Sequence, residues 1–216
     1  PPPFPPFRLL GDAPQSPSPA LLALLVPALL PAILRGVHDP VEKVRETCAE
    51  LVLALVERLD DCAPTLKHLA PAVTARVGTG TGTGTAPGGG RQGGGGGAVD
   101  PLEPSEEIRL ALVEALALSA RKTRDSRDLA PFLEDVASVL AVAAADPFHD
   151  VKKAAFAAVV ALANTLVERH HDRETVARRV ALAALAPSVA RLSRAIVPEC
   201  AHRHSAVRAA ALRALD

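Results

Sequence analysis

A seven-residue phrase recurs along the chain and constrains the fold more than any other feature. "DPVEKVR" at 39–45, "EPSEEIR" at 103–109 and "DPFHDVK" at 146–152 share one order: an acid, a proline, three variable residues, a β-branched apolar residue and a base. "HRHSAVR" at 202–208 is a degraded fourth copy that keeps the apolar residue and the base. The signature residues are Asp39, Pro40, Val44, Arg45, Glu103, Pro104, Ile108, Arg109, Asp146, Pro147, Val151, Lys152, Val207 and Arg208.

The copies are regularly spaced once one insertion is left out. They begin 64, 43 and 56 residues apart, and the first interval also becomes 43 without the 21 residues of 78–98. A second marker precedes each copy, a proline in an apolar stretch: Pro27, Pro71, Pro131 and Pro187. Each unit is therefore predicted to be a proline-bearing helix, a turn and a second helix. A period near 40–47 residues with two helices per unit is typical of HEAT-type solenoids.

The hydrophobic pattern predicts an all-α chain. Between residues 40 and 60, apolar side chains recur at steps of three and four, with charged residues between them, which indicates a helix with one buried stripe. Aromatic residues make up only 2% of the chain, so the core must be built from Leu, Val and Ala. Such a core suits close-packed helices, and no run alternates as a strand would.

The expected organisation is about four helical hairpins. Residues 1–17 form an irregular Pro-rich segment, 18–61 the first repeat, 62–121 the second, 122–170 the third and 171–216 a fourth that the end of the segment truncates. The Gly/Thr-rich stretch within 78–101 is predicted to be a disordered, flexible insertion, because it lacks the flanking strand and Lys-Ser/Thr of a phosphate loop. The chain begins without Met and stops within a helical pattern, so we expect a segment of a longer protein.

The recurring phrase reads as the start of each second helix. Asp39 is expected to cap the free N–H groups of that helix, with Pro40 at its first position and Glu42 reaching back. Asp146 and Pro147 are expected to do the same in the third unit. The apolar member of each copy should point between the paired helices; these residues are Val44, Ile108, Val151 and Val207. Resemblance to HEAT proteins implies that the acid and the base form a ladder between neighbouring units.

No motif in the chain predicts catalysis or a bound metal. "CAHRH" at 200–204 offers Cys200, His202 and His204, but a closed zinc site wants four ligands, so we expect a solvated turn. "HHDRE" at 170–174 is interpreted as a polar loop. Neither a nucleophile elbow, a phosphate loop nor a metalloprotease motif is present in the sequence. We therefore expect no cofactor.

Charge and hydropathy favour neither nucleic acid nor membrane as a partner. Basic and acidic residues number 24 each, whereas nucleic-acid binders usually carry a basic excess. The basic stretch 120–128 is interpreted as a solvated loop, with an acidic or phosphate-bearing partner as the alternative. The apolar run 20–34 is too short to span a bilayer comfortably and reads as a buried helix. Three widely spaced cysteines, Cys48, Cys62 and Cys200, favour reduced thiols in the cytoplasm.

A closer resemblance rests on "EEIRLALVEALALSA" (106–120), "LAPFLEDVASVL" (129–140) and "DPFHDVKKAAF" (146–156). These stretches resemble the N-terminal part of the dynein axonemal assembly factor 5 family. The resemblance implies a cytoplasmic, non-enzymatic scaffold for the preassembly of dynein arms for cilia or flagella. It implies protein partners, namely dynein chains, chaperones or other assembly factors. No catalytic residue is carried over from the family.

The sequence is also compatible with two other functions. One is a HEAT adaptor of the transport-receptor or phosphatase-scaffold kind, and the other is an enzyme whose catalytic domain lies outside these 216 residues. Exposed positions of the second helices are the candidates for contact with a partner. Those candidates are Lys43, Glu50 and Glu57.

Overall fold

A computed structural model describes residues 19–78, 103–168 and 175–216. Its helices are α1 (Pro19–Gly36), α2 (Glu42–Arg58), α3 (Ala63–Val77), α4 (Glu106–Lys122), α5 (Ser126–Leu129), α6 (Leu133–Ala144), α7 (His149–Glu168), α8 (Thr175–Ile196) and α9 (Ser205–Leu215). Two 3₁₀ turns occupy Ala130–Phe132 and Val197–Ala201. No strand occurs in these three ranges. The predicted Pro-rich segment 1–17, most of the 78–101 insertion and the histidines of 170–171 lie outside the described residues.

The helices pair into hairpins that stack in two layers. The hairpins are α1–α2, α3–α4, α6–α7 and α8–α9. The first helices of the hairpins contact one another in the order α1, α3, α6 and α8, and the second helices in the order α2, α4, α7 and α9. We call these the first-helix and second-helix layers. The all-α solenoid of about four hairpins that the repeat spacing predicts is confirmed.

One continuous apolar core runs through the stack. It extends from Val26 in α1 to Ala211 in α9 and is made almost entirely of Leu, Val and Ala. Phe156 is the aromatic residue fully buried in it. No single hairpin could bury its apolar stripe alone, because each helix of the middle units contacts helices of the hairpins on both sides.

The repeated prolines lie on the outer side of the first-helix layer. Pro27 falls inside α1, Pro71 inside α3 and Pro187 inside α8, and all three rings are exposed. A proline inside a helix leaves one carbonyl without its N–H partner, and an exposed position lets water satisfy that carbonyl. Pro131 departs from the prediction because it lies in the 3₁₀ turn before α6. Proline is tolerated at the start of a helix because the first N–H groups there have no carbonyl partner within the helix.

The second helices begin later than the sequence suggested. The helices start at Glu42, Glu106 and His149, so Pro40, Pro104 and Pro147 lie outside them. The prediction that Pro40 and Pro147 occupy the first helical position, with Asp39 and Asp146 as caps, is therefore wrong. The acid instead closes a turn that ends where the helix begins, and the proline forms part of that turn.

The prediction for Val44 is also wrong. Ile108, Val151 and Val207 are fully or almost fully buried, whereas Val44 is 39% exposed. The helices α4 and α7 each lie beside a preceding helix of the second-helix layer. Helix α2 has no such neighbour among the described residues, so its equivalent face stays open.

Candidate functional site

The acid of each signature holds a tight turn. A side-chain acceptor at position i receives the N–H of residue i+2 in all four copies. The distances are 2.8 Å for Asp39 to Val41, 3.1 Å for Glu103 to Ser105, 2.9 Å for Asp146 to Phe148 and 3.1 Å for His202 Nδ1 to His204. Short polar side chains commonly stabilise turns by this bond. In the fourth copy His202 acts in place of the acid.

The arginine of the signature is locked onto the same turn. One guanidinium nitrogen of Arg45 donates to the carbonyls of Asp39 and Pro40, each at 3.1 Å. Arg109 repeats this pose on Glu103 and Pro104 at 2.7 and 2.9 Å. Arg208 repeats it on His202 and Arg203 at 2.8 and 3.0 Å. The bonds satisfy carbonyls before the helix and fix the direction of the other two guanidinium nitrogens.

In Arg45 and Arg109, those other nitrogens join one hairpin to the next. Arg45 Nε and Nη2 donate to the two carboxylate oxygens of Glu103 at 3.0 and 3.1 Å. Arg109 holds Asp146 in the same two-bond geometry at 2.7 and 3.0 Å. All four side chains are buried. Paired, planar contacts of this kind are the strong and geometrically specific form of the ion pair. We call this series the charged ladder.

Glu103 carries more contacts than the other acids of the ladder. It is fully buried and binds Arg76 of α3 in addition to Arg45 of α2. Burial alone would raise the pKa of this carboxyl, but the hydrogen bonds from Arg45, the Ser105 N–H and Arg76 outweigh burial. The pKa of Glu103 is therefore lowered, and its charged form is part of the fold. The sequence did not point to Arg76, because it lies outside the repeated phrase.

The third rung of the charged ladder uses a different acid. Lys152 Nζ lies 2.6 Å from Glu199, which belongs to the 3₁₀ turn before α9. The fourth copy of the phrase offers His202 where the others have an acid, and Glu199 lies three residues earlier. The sequence shows an acid, Glu199, near the fourth copy, but this acid does not stand at the position that the acids of the other copies occupy.

A lysine of the basic stretch 120–128 caps a neighbouring helix. Lys122 Nζ donates to the carbonyls of Val56, Glu57 and Leu59 at 3.1, 2.6 and 2.9 Å. These carbonyls terminate α2, where the helix dipole favours a cation. The last turn of α4 is thereby fastened to the last turn of α2. The interpretation of the stretch as a solvated loop does not hold for this residue.

The three candidate contact residues lie along α2. Lys43 is exposed and pairs with Glu46 at 2.9 Å; that hydrogen bond raises the pKa of Lys43. Glu50 and Glu57 are exposed, and Glu57 lines a cavity of about 360 Å³ between α2, α4 and α7. Glu114 of α4 lines the same cavity. Partner contact by Lys43, Glu50 and Glu57 stays a prediction.

The histidines near the fourth turn form a small cluster. The rings of His149 and His204 lie 5.8 Å apart, and those of His202 and His204 lie 5.3 Å apart. Desolvation by the surrounding side chains lowers the pKa of the exposed His204, and Arg203 with the two neighbouring histidines adds to that effect. Within the described ranges, no group of three or more His, Cys, Asp or Glu side chains is arranged to hold a metal ion. In the same ranges no helix is long and apolar enough to cross a bilayer.

Comparison with known families identifies two matches. A family described as "Dynein axonemal assembly factor 5-like, TPR repeats" matches residues 97–216, more than half of the chain. The HEAT repeat family matches residues 29–59, which cover the end of α1 and all of α2. No solved structure is significantly similar to the chain.

Three curated relatives are similar in sequence, and each is named dynein axonemal assembly factor 5. The protein of Xenopus laevis is 27% identical over 185 residues, which cover 86% of this chain and 18% of the relative. The Mus musculus protein is 33% identical and the Homo sapiens protein 29% identical, each over 143 residues. Those 143 residues cover 66% of this chain and 15% of either relative. The chain thus spans less than a fifth of the length of these relatives.

Proposed function

Because the chain belongs to the dynein axonemal assembly factor 5-like family, we propose that it is a scaffold for the preassembly of axonemal dynein arms. The family match over residues 97–216 carries this proposal. The names of the three relatives support it, since each is called an axonemal dynein assembly factor. The action is non-enzymatic and takes place in the cytoplasm, before the arms reach the cilium or flagellum.

The geometry suits a scaffold because it provides a stable surface. The buried charged ladder fixes the position of each hairpin on the next, so side chains on successive second helices keep a constant spacing. Stacked hairpins of this kind commonly bind extended partners along one face. The partners we propose are dynein chains, chaperones and other assembly factors.

A loss-of-function experiment tests the proposed function. The complete protein is removed from a ciliated cell, and axonemes are examined by electron microscopy for inner and outer dynein arms. We expect arms to be missing while the microtubule doublets stay intact. Re-expression of the protein should restore the arms, and capture of the tagged protein from the cytoplasm should recover dynein heavy chains.

The control is capture from the axonemal fraction of the same cells. An assembly factor should recover heavy chains from cytoplasm and far less from axonemes. Normal arms and normal motility in cells without the protein would contradict the proposed function. Such cells would favour the other HEAT-adaptor role that the repeat architecture also permits.

A further inference from the structure

A trough crosses the surface of the second-helix layer. The cavity beside Glu57 and Glu114 has a floor that includes Ala157 and Ala161 of α7. A second cavity, of about 590 Å³ between α7 and α9, shares these two alanines and is lined by Arg213 at its far side. The two cavities therefore adjoin at α7, and we call the surface that they form together over α2, α4, α7 and α9 the trough.

The charge of the trough reverses along its length. Glu114 in α4, Ala157 in α7 and Arg213 in α9 line it, and each stands five residues after a signature base. Glu57 joins the acidic end, where Arg121 also contributes to the lining. Burial and then the nearby charge of Glu57 raise the pKa of Glu114. Two basic residues, Lys153 and Arg213, line the other end. Lys153 forms an ion pair with Asp150 at 2.6 Å, so the exposed Arg213 is the basic residue that we consider for contact with a partner.

We propose that the trough binds an amphipathic helix of a partner protein, with Lys or Arg side chains at the α2–α4 end and Asp or Glu side chains at the α9 end. The alanine floor leaves room for larger apolar side chains such as Leu and Val. A cation placed between Glu57 and Glu114 would relieve their mutual repulsion. An acid at the other end would meet Arg213.

A helix suits the trough better than an extended peptide does. The walls are helices whose backbone groups are already bonded internally, so the floor offers a partner's backbone almost no hydrogen-bond partners. A bound segment must then satisfy its own backbone, as a helix does. Three steps between neighbouring helices, each about 8–10 Å, span roughly 25–30 Å. At 1.5 Å per residue this is a helix of about 16–20 residues.

A synthetic peptide tests the proposal on the 216-residue chain. The probe has 18 residues, an apolar stripe of Leu and Val at helical spacing, two Lys at one end, two Glu at the other and a fluorescent label. The control peptide carries Glu at both ends. Fluorescence anisotropy should show at least tenfold tighter binding of the probe than of the control, and circular dichroism should show that the probe gains helix.

Variants of the chain locate the binding. The double variant Glu57→Lys/Glu114→Lys should bind the probe at least tenfold more weakly and should now prefer the control peptide. Ala157→Arg should block binding by filling the floor. The matched controls are Glu134→Lys in α6 and Ala183→Arg in α8, which change exposed residues of the first-helix layer and should leave binding unchanged. Thermal melts check that every variant is folded.

Three results would overturn the proposal: no binding of the probe at millimolar concentration, equal binding of probe and control, or binding that Ala157→Arg does not change. The proposal rests on the proposed function only in taking the partner to be a protein. Because the peptide experiment uses no dynein and no ciliated cell, it can fail while the dynein-arm experiment succeeds, and the reverse also holds.

Discussion

At the scale of the residue, Glu103 is the acid of the charged ladder that accepts hydrogen bonds from two arginines and from the backbone of its own turn. It is fully buried and forms ion pairs with both Arg45 and Arg76. We expect Glu103→Gln to lower the free energy of unfolding by about 3–5 kcal/mol, because it removes the carboxylate that pairs with the buried guanidinium of Arg45. Urea denaturation measures the change. The control Glu42→Gln, at the exposed start of α2, should change stability by less than about 0.5 kcal/mol.

The lowered pKa of Glu103 has a consequence for acid stability. The unfolded chain binds a proton at this carboxyl at a higher pH than the folded chain does, so the ionised group stabilises the fold at neutral pH. That stability is present above the ordinary pKa of about 4.3 and is lost as the pH falls through the lower, folded value. We expect the difference in unfolding free energy between the native chain and Glu103→Gln to shrink below about pH 4.3. A constant difference from pH 7 to pH 3 would show that the charge of Glu103 is not involved.

Equivalent valines should differ in their contribution to stability. Val44 and Val151 hold the same place in the repeated phrase, but Val44 is 39% exposed and Val151 is 1% exposed. We expect Val151→Ala to lower the free energy of unfolding by about 1–3 kcal/mol, and Val44→Ala by clearly less. Equal losses in denaturation experiments would mean that a further element covers Val44.

At the scale of the element, Lys122 links the ends of two helices. Its ammonium group caps three carbonyls of α2 from the last turn of α4. We expect Lys122→Ala to destabilise the fold by about 1–3 kcal/mol, as for other hydrogen bonds to charged groups. Hydrogen exchange resolved by residue should show the loss of protection concentrated in the last turn of α2. Arg124→Ala, in the exposed loop that follows, should leave that protection unchanged.

The elements also show what the sequence could predict. Helical periodicity and the spacing of the phrase predicted the hairpins, because one buried stripe per helix leaves a clear pattern. The starts of the second helices were missed, since a side-chain bond from Asp39 to the Val41 N–H resembles a helix cap in sequence. The Arg45–Glu103 contact joins residues 58 positions apart. Only the resemblance to HEAT proteins suggested such a rung, whereas Arg76, Lys122 and Glu199 had no repeated spacing to reveal them.

At the scale of the whole molecule, the stack is a series of hairpins in which each completes the core of its neighbours. Val44 is exposed because of its place in the stack and not because of the residues around it in the sequence. The face of α2 that carries Val44 would be buried only if another helix preceded α2 in the second-helix layer. The trough is likewise a property of several units. Its charge reversal appears only when Glu114, Ala157 and Arg213 are compared across three helices.

The most direct test of the stacked architecture is a double-mutant cycle on Arg109 and Asp146, which join the second hairpin to the third. The free energy of unfolding is measured for the native chain, Arg109→Met, Asp146→Ala and the double variant. Buried partners in direct contact should be strongly non-additive, and we expect a coupling energy of about 2–3 kcal/mol. Additive losses, with a coupling energy near zero, would contradict a ladder that fixes one hairpin on the next.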